Sequence, residues 1–245
     1  MKFGRQIFLR PVSRTVFWSL LGMCLLLRVL LASLPGYIPD VGSFKKWAIG
    51  SALYGLPAAY EKTDIDYPPL MLYCLYPIGK LYIWSQPELR TAEFKRTEWG
   101  EYLFYTRDGR IYRSDLGFRA ELPEVELPSG PLPGSRFLTF LVKALFIPFD
   151  FLVGMLLYWL VSAGGLWGES RARPGWGRLA ALLYLWNPVV LWGSGYWGES
   201  DSIMFVFIVA SLAMLTFNRI VISSMLLAAA FLMKQMAAPM VPVLA

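Results

Sequence analysis

The chain has 245 residues, 56% of them hydrophobic and 16% aromatic, with a net charge of +6 and a positive mean hydropathy of +0.48. Several apolar runs of bilayer-spanning length explain these values and exclude a disordered chain or an ordinary soluble domain. Histidine is absent, which removes Ser-His triads, His-ligated zinc and histidine general bases, so acid–base work falls to Asp, Glu, Lys or Tyr. Cys24 and Cys74 both lie inside apolar runs, so neither a disulfide framework nor a thiolate metal site is expected. The basic residues form no stripe interleaved with aromatics; the charge reads as membrane topology and not as nucleic-acid binding.

Residues 1–14 carry Lys2, Arg5, Arg10 and Arg14 and no acid. Thr15–Leu34 follows, an apolar run of about twenty residues that suits a retained transmembrane helix with a cytoplasmic N-terminus. The next loop holds an amphipathic segment, Asp40–Tyr54, and then Asp64-Ile-Asp66-Tyr-Pro-Pro. The Pro-Pro step starts a helix and keeps the residue before it extended. Tyr67–Trp84 has the length of a short span but contains Pro77, Gly79 and Lys80.

Parity decides its place. The remaining apolar runs are Phe137–Ala163, Leu179–Ser194, Ile203–Phe217 and Ile220–Leu244, with Arg171, Arg173 and Arg178 between the first two and Arg219 between the last two. An interfacial Tyr67–Trp84 helix makes all those short basic loops cytoplasmic. Segment 85–136 holds eight Lys/Arg against nine Asp/Glu and lacks the basic excess of a cytoplasmic loop. The expected fold is therefore an all-α polytopic membrane protein. It has five transmembrane helices, two outer juxtamembrane helices and an extracytoplasmic insert at 85–136. Within the insert, residues 101–116 alternate around Asp108-Gly109 and read as a β-hairpin, followed by a proline-rich return.

This topology collects polar groups on the outer face: Asp40, the Asp64/Asp66 corner with Tyr67, and Tyr196-Trp197-Gly198-Glu199-Ser200-Asp201. Asp40 suits either an N-cap or a general base able to take a proton from an acceptor hydroxyl. Asp64-x-Asp66 matches a D-x-D pattern, but two carboxylates alone are a weak signal for a hard cation and a turn explains both, so no metal is assigned to them. Glu199 and Asp201 fit helix capping, and Trp197 fits either an interface belt or a platform for a sugar ring. Inside the bilayer Arg28, Lys143, Asp150, Lys234 and Gln235 are the informative polar residues. Pairing Asp150 with Lys234, and leaving Arg28 for a lipid phosphate, is the preferred arrangement; Asp150 with Arg28 is the other.

These residues resemble a known family. Arg28, Asp40 with Phe44-Lys-Lys-Trp47-Ala, Asp66-Tyr-Pro-Pro-Leu70, Lys143 with Asp150, Asn187-Pro188, Trp197-Gly-Glu-Ser-Asp201 and Lys234-Gln-Met236 look like the GT-C superfamily of integral membrane glycosyltransferases. The pattern is most similar to dolichyl-phosphate-glucose and dolichyl-phosphate-mannose enzymes and their bacterial relatives, and it covers most of the chain outside 85–136. The resemblance implies a polyprenyl-phosphate sugar donor, a lipid-linked or glycan acceptor, no cofactor, and chemistry on the non-cytoplasmic face of the membrane, with a bacterial plasma membrane preferred to the endoplasmic reticulum. Asp40 would be the general base of an inverting displacement, with Arg28, Asp66, Tyr67, Trp197, Glu199, Asp201, Lys234 and Gln235 binding substrate. Glu199 departs from the family's usual neutral amide. Family members also continue for several further spans, so the sequence reads as ending part-way through the pattern. The rival readings are a lipid or sugar transporter using the same intramembrane charges, and an inactive fragment of a transferase.

Overall fold

A computed structural model of the chain describes residues 12–63, 65–91, 93–96, 102–105, 111–113, 135–163 and 174–240. Ser13 caps the first helix, α1 (Arg14–Ala32), its hydroxyl accepting the Val16 N–H at 3.3 Å. Most of α1 is exposed apolar surface; Cys24, Arg28 and Ala32 form its buried stripe. The chain then turns into α2 (Ile38–Tyr54), α3 (Leu56–Thr63) and α4 (Pro69–Ser85), which ends in a 3₁₀ turn, Pro87–Thr91.

The expectation of an amphipathic α2 is corrected. From Val41 to Ala52 every residue is buried except Ser43, which is half-buried. The helix is an interior element, packed against α3, α4 and the later α5 (Ser135–Ser162). α4 is one-sided, with Met71, Leu72, Leu75, Gly79, Tyr82 and Ile83 facing inward and Tyr73, Leu81 and Trp84 outward. That stripe follows the helical repeat. Gly79 is required where α4 crosses α2, because a Cβ there would sit 1.8 Å from the Ala48 carbonyl oxygen.

Three strands, β1 (Glu93–Arg96), β2 (Tyr102–Tyr105) and β3 (Ile111–Arg113), form an antiparallel sheet in the order β1-β2-β3, with Tyr105 opposite Ile111. The Asp108-Gly109 turn and the proline-rich return lie outside the described residues. α5 then runs antiparallel to α1, burying Lys143, Phe146, Asp150 and Val153 along one face.

Beyond α5 the elements are shorter than the sequence implies. They are α6 (Pro174–Leu185, 12 residues), a turn of helix α7 (Pro188–Val190), a π-helix at Leu191–Trp197, α8 (Asp201–Thr216, 16 residues), α9 (Ile220–Met233, 14 residues) and a 3₁₀ turn at Gln235–Met240. At 1.5 Å per residue the three main helices reach about 18–24 Å, short of the roughly 30 Å hydrocarbon core of a bilayer. Two described helices, Arg14–Ala32 and Arg136–Ser162, are long and apolar enough to cross a membrane. The five expected spans are corrected accordingly.

The interruptions have local causes. Pro188 has no N–H and keeps Asn187 out of the helical region (φ −59°, ψ 124°), which divides the run expected at Leu179–Ser194. Lys234 is extended (φ −154°, ψ 129°) and ends α9 inside the run expected at Ile220–Leu244. α8 and α9 form a tight hairpin turned by Asn218 at φ 57° and clasped inside by Ser211 and Ser223, whose hydroxyls each reach the other's carbonyl at 2.8–2.9 Å. The main core joins Phe44, Trp47, Leu72, Leu75, Phe146, Ile203 and Met233 from α2, α4, α5, α8 and α9.

Replacing Gly79 by Ala is expected to cost about 1–3 kcal/mol through overpacking. Thermal unfolding in detergent is the measurement. A midpoint equal to that of the wild type would contradict the α2–α4 contact.

Candidate functional site

The deepest polar group joins four elements. Arg28 of α1 is 0% exposed and its Nε meets Asp150 Oδ2 of α5 at 3.0 Å. Its Nη2 donates to the Leu185 carbonyl of α6 at 2.9 Å, and its Nη1 donates to Cys24 Sγ. Asp150, 1% exposed, also accepts from the Ser194 hydroxyl of the π-helix and, at 3.5 Å, from the Tyr184 hydroxyl. The expected pairing of Asp150 with Lys234 is therefore corrected to Asp150 with Arg28. All three guanidinium nitrogens are bonded and the side chain is sealed, so Arg28 has no donor facing a lipid phosphate.

Above this pair stands Asp40. It occupies the third position of α2, where the helix dipole favours an acid, and it does not act as the N-cap, a place held by Tyr37 without a side-chain bond. The indole Nε1–H of Trp197 donates to Asp40 Oδ2 at 2.7 Å. Tyr37 fixes Trp197 further, with its N–H on the Trp197 carbonyl at 3.1 Å and its ring 4.5 Å from the indole. Trp197 is thus a clamp on the carboxylate. Oδ1 of Asp40 has no hydrogen-bond partner among the described residues. This leaves one oxygen of a half-buried, oriented carboxylate for a substrate proton.

Two residues on from Trp197, Glu199 and Asp201 share one cation. Lys234 Nζ lies 2.5 Å from Asp201 Oδ1 and 3.3 Å from Glu199 Oε1. The capping reading of both acids is corrected: Ser200 holds the N-cap position of α8 and no side chain caps the helix. The arrangement carries one surplus negative charge. Burial, and then the neighbouring Asp201, push the Glu199 carboxyl above its ordinary range, against the pull of Lys234. The Tyr67 phenol borders Lys234 and Ser200, and burial raises it too. Its ring packs 5.2 Å from Trp47 and 5.9 Å from Phe44, while the Tyr60 hydroxyl holds the Tyr67 carbonyl at 3.0 Å. The Tyr-Pro-Pro corner is therefore pinned from both sides.

The structure brings together Asp40 with Trp197, and Tyr67 with Glu199, Asp201 and Lys234. Asp66 and Gln235 are exposed and join neither group; Asp64 lies outside the described residues. Among the described residues no three acids, cysteines or histidines gather as a metal site. Two apolar grooves flank α1. One, of about 580 Å³, runs between Val16, Leu20, Leu182 and Trp186; the other, of about 360 Å³, lies between Trp18, Leu25, Ile147 and Phe151.

Sequence reasoning missed the Trp197–Asp40 bond, the Ser194–Asp150 bond and the use of Lys143. All three join residues far apart in the chain, and only the helical spacing of Lys143 and Asp150 on one face of α5 was visible beforehand. No protein-family model, curated protein or solved structure matches the chain.

Two outcomes follow from these charges. Removing one partner of the sealed pair, as in Asp150→Ala, leaves Arg28 uncompensated and is expected to cost about 3–5 kcal/mol, with Arg28→Met/Asp150→Leu recovering much of it. Equal loss in the single and double variants on thermal unfolding would contradict a sealed pair. For Glu199, folding favours the protonated acid, so its contribution is full below the unfolded glutamate range and is lost as pH rises through the raised folded value. The melting point of Glu199→Gln should therefore gain on that of the wild type from acid to neutral pH. A difference that stays constant with pH would contradict the raised carboxyl.

Proposed function

We propose that the chain carries the acceptor-activating site of a membrane glycosyltransferase that uses a polyprenyl-phosphate sugar. The observation that carries this reading is the Asp40 carboxylate, oriented through one oxygen by Trp197 at 2.7 Å with the other oxygen free among the described residues. That is the geometry a general base needs. Asp40 Oδ1 takes the proton of an acceptor hydroxyl as that oxygen attacks the anomeric carbon. The bond from that carbon to the phosphate oxygen breaks, polyprenyl phosphate departs as an anion, and the anomeric configuration inverts.

The supporting residues take definite parts. Glu199 and Asp201, each about one-third exposed beside Lys234, offer acceptors to sugar hydroxyls. Tyr67 supplies an aromatic edge and a phenol at the same place. Lys234 is the cation nearest these groups, although its two carboxylate partners already neutralise it. Arg28 is withdrawn from the substrate-binding set on account of its burial, and Asp66 and Gln235 are assigned to the exposed rim. The aliphatic grooves beside α1 suit the hydrocarbon tail of a lipid-borne donor. Membrane crossing at α1 and α5 places the polar groups at one end of both helices, with Asp40 and Trp197 just beyond the C-terminus of α1.

The test is transfer of labelled sugar from a polyprenyl-phosphate donor in membranes containing the protein. Asp40→Asn should lower the rate by about 10²–10⁴, the usual contribution of a general base. Trp197→Phe, which removes one bond to a charged group, should lower it by about ten-fold or somewhat more. Wild-type rates in Asp40→Asn would overturn the assignment. Movement of unchanged labelled lipid across the membrane, with no transfer, would favour a transporter.

A further inference from the structure

Lys143 sits beneath both walls of the candidate site and has no part in the chemistry above. Its side chain is 0% exposed in α5. The ammonium donates to the carbonyls of Leu31 and Leu34, both at 2.9 Å, where α1 ends. The negative end of the α1 dipole favours a cation here, and Lys143 adds a second donor to the Leu31 carbonyl, which already accepts the Leu34 N–H at 3.1 Å. Leu34 is followed by Pro35-Gly36-Tyr37, the residues that lead into α2 and Asp40. On the other side, Lys143 Nζ lies 5.5 Å from the centroid of the Tyr196 ring. Its methylene stem packs under Gly198: a Cβ added there would meet Lys143 Cγ at 3.1 Å and Val41 Cγ2 at 2.8 Å. Gly198 also has φ +84°, the left-handed backbone that glycine alone adopts freely.

We infer that Lys143 is the positioning residue of this site. It ties the α1 exit, which carries Tyr37 and Asp40, to the Tyr196–Gly198 turn, which carries Trp197 and delivers Glu199. The Trp197–Asp40 bond spans those two walls, so its length depends on the tie. Cation, stem and ring contact all matter: the ammonium reaches two carbonyls at once, the stem together with Val41 Cγ2 crowds the space beside Gly198, and the charge faces an aromatic ring. This role rests on the reading of Asp40 as the base, because it gives Lys143 a part in catalysis that acts wholly through another residue.

The experiment follows the Trp197 indole N–H by NMR in detergent micelles of the ¹⁵N-tryptophan-labelled chain. The resonance is assigned with Trp197→Phe, and Asp40→Ala supplies the position without the bond. Lys143→Met keeps the stem and removes the ammonium; its Trp197 signal should move to the Asp40→Ala position. Lys143→Arg keeps a cation with several donors and should hold the signal at the wild-type position. A wild-type signal in folded Lys143→Met, or an equal shift in Lys143→Arg, would overturn the positioning role. Where Lys143→Met fails to fold, Lys143→Gln is read against the same references. Failure of both to fold would assign Lys143 to stability alone, which also overturns the role. Because the readout needs no turnover, it separates from the fate of the transferase reading. Wild-type transfer by Asp40→Asn would refute that reading while the indole signal still decides the part played by Lys143.

Discussion

The sealed ion pair between Arg28 and Asp150 is the constraint on which the other contacts depend. Two unit charges removed from water are tolerated only with close geometry and further hydrogen bonds. Here those bonds come from Cys24, Leu185, Ser194 and Tyr184. The requirement fixes α1, α5, α6 and the π-helix relative to one another in both height and rotation. Lys143 repeats the device two turns higher on α5, where it meets the end of α1, one turn beyond Arg28. Asp40 and Trp197 sit on top of this column. α5 acts as the ruler along which successive polar contacts set the position of everything beyond it.

The π-helix has a part in the same geometry. Its wider turns place Ser194 toward Asp150 while carrying Tyr196 over Lys143 and Trp197 across to Asp40. Such segments recur at functional positions because they trade regular packing for aim. The α8–α9 hairpin solves a related problem. Its Ser211–Ser223 clasp closes two strongly apolar helices at one end, and at the other the break at Lys234 sends a cation back to Glu199 and Asp201. A regular helix through Lys234 would have kept that cation among apolar neighbours.

The sequence disclosed the helical class, the apolar length of α1 and α5 and the polar residues that the structure gathers as Asp40 with Trp197 and as Tyr67, Glu199, Asp201 and Lys234. It did so because apolar periodicity, Pro-Pro and isolated intramembrane charges leave local marks. The length of the later helices was misjudged because Asn187-Pro188 and Lys234 interrupt runs whose average hydropathy remains high. α2 was misread as amphipathic for the opposite reason: Lys45 and Lys46 give it a polar face in sequence, yet both are buried. Partner choice was the least legible feature. Asp150 had Arg28 and Lys234 at similar apparent depth, and depth was counted along helices that the structure cuts short. Trp197 read equally as an interface-belt residue or a platform, and nothing local in the sequence reveals that its indole points at a carboxylate 157 residues earlier.

The central claim is that Trp197 acts by orienting Asp40, so that the two behave as one unit. A double-mutant cycle in sugar-transfer rate tests this most directly, with Asp40→Asn, Trp197→Phe and the pair together. If the indole works through the carboxylate, the double variant is as slow as Asp40→Asn alone, because an absent base cannot be oriented. If the two losses multiply, Trp197 contributes independently and the Asp40–Trp197 unit is refuted.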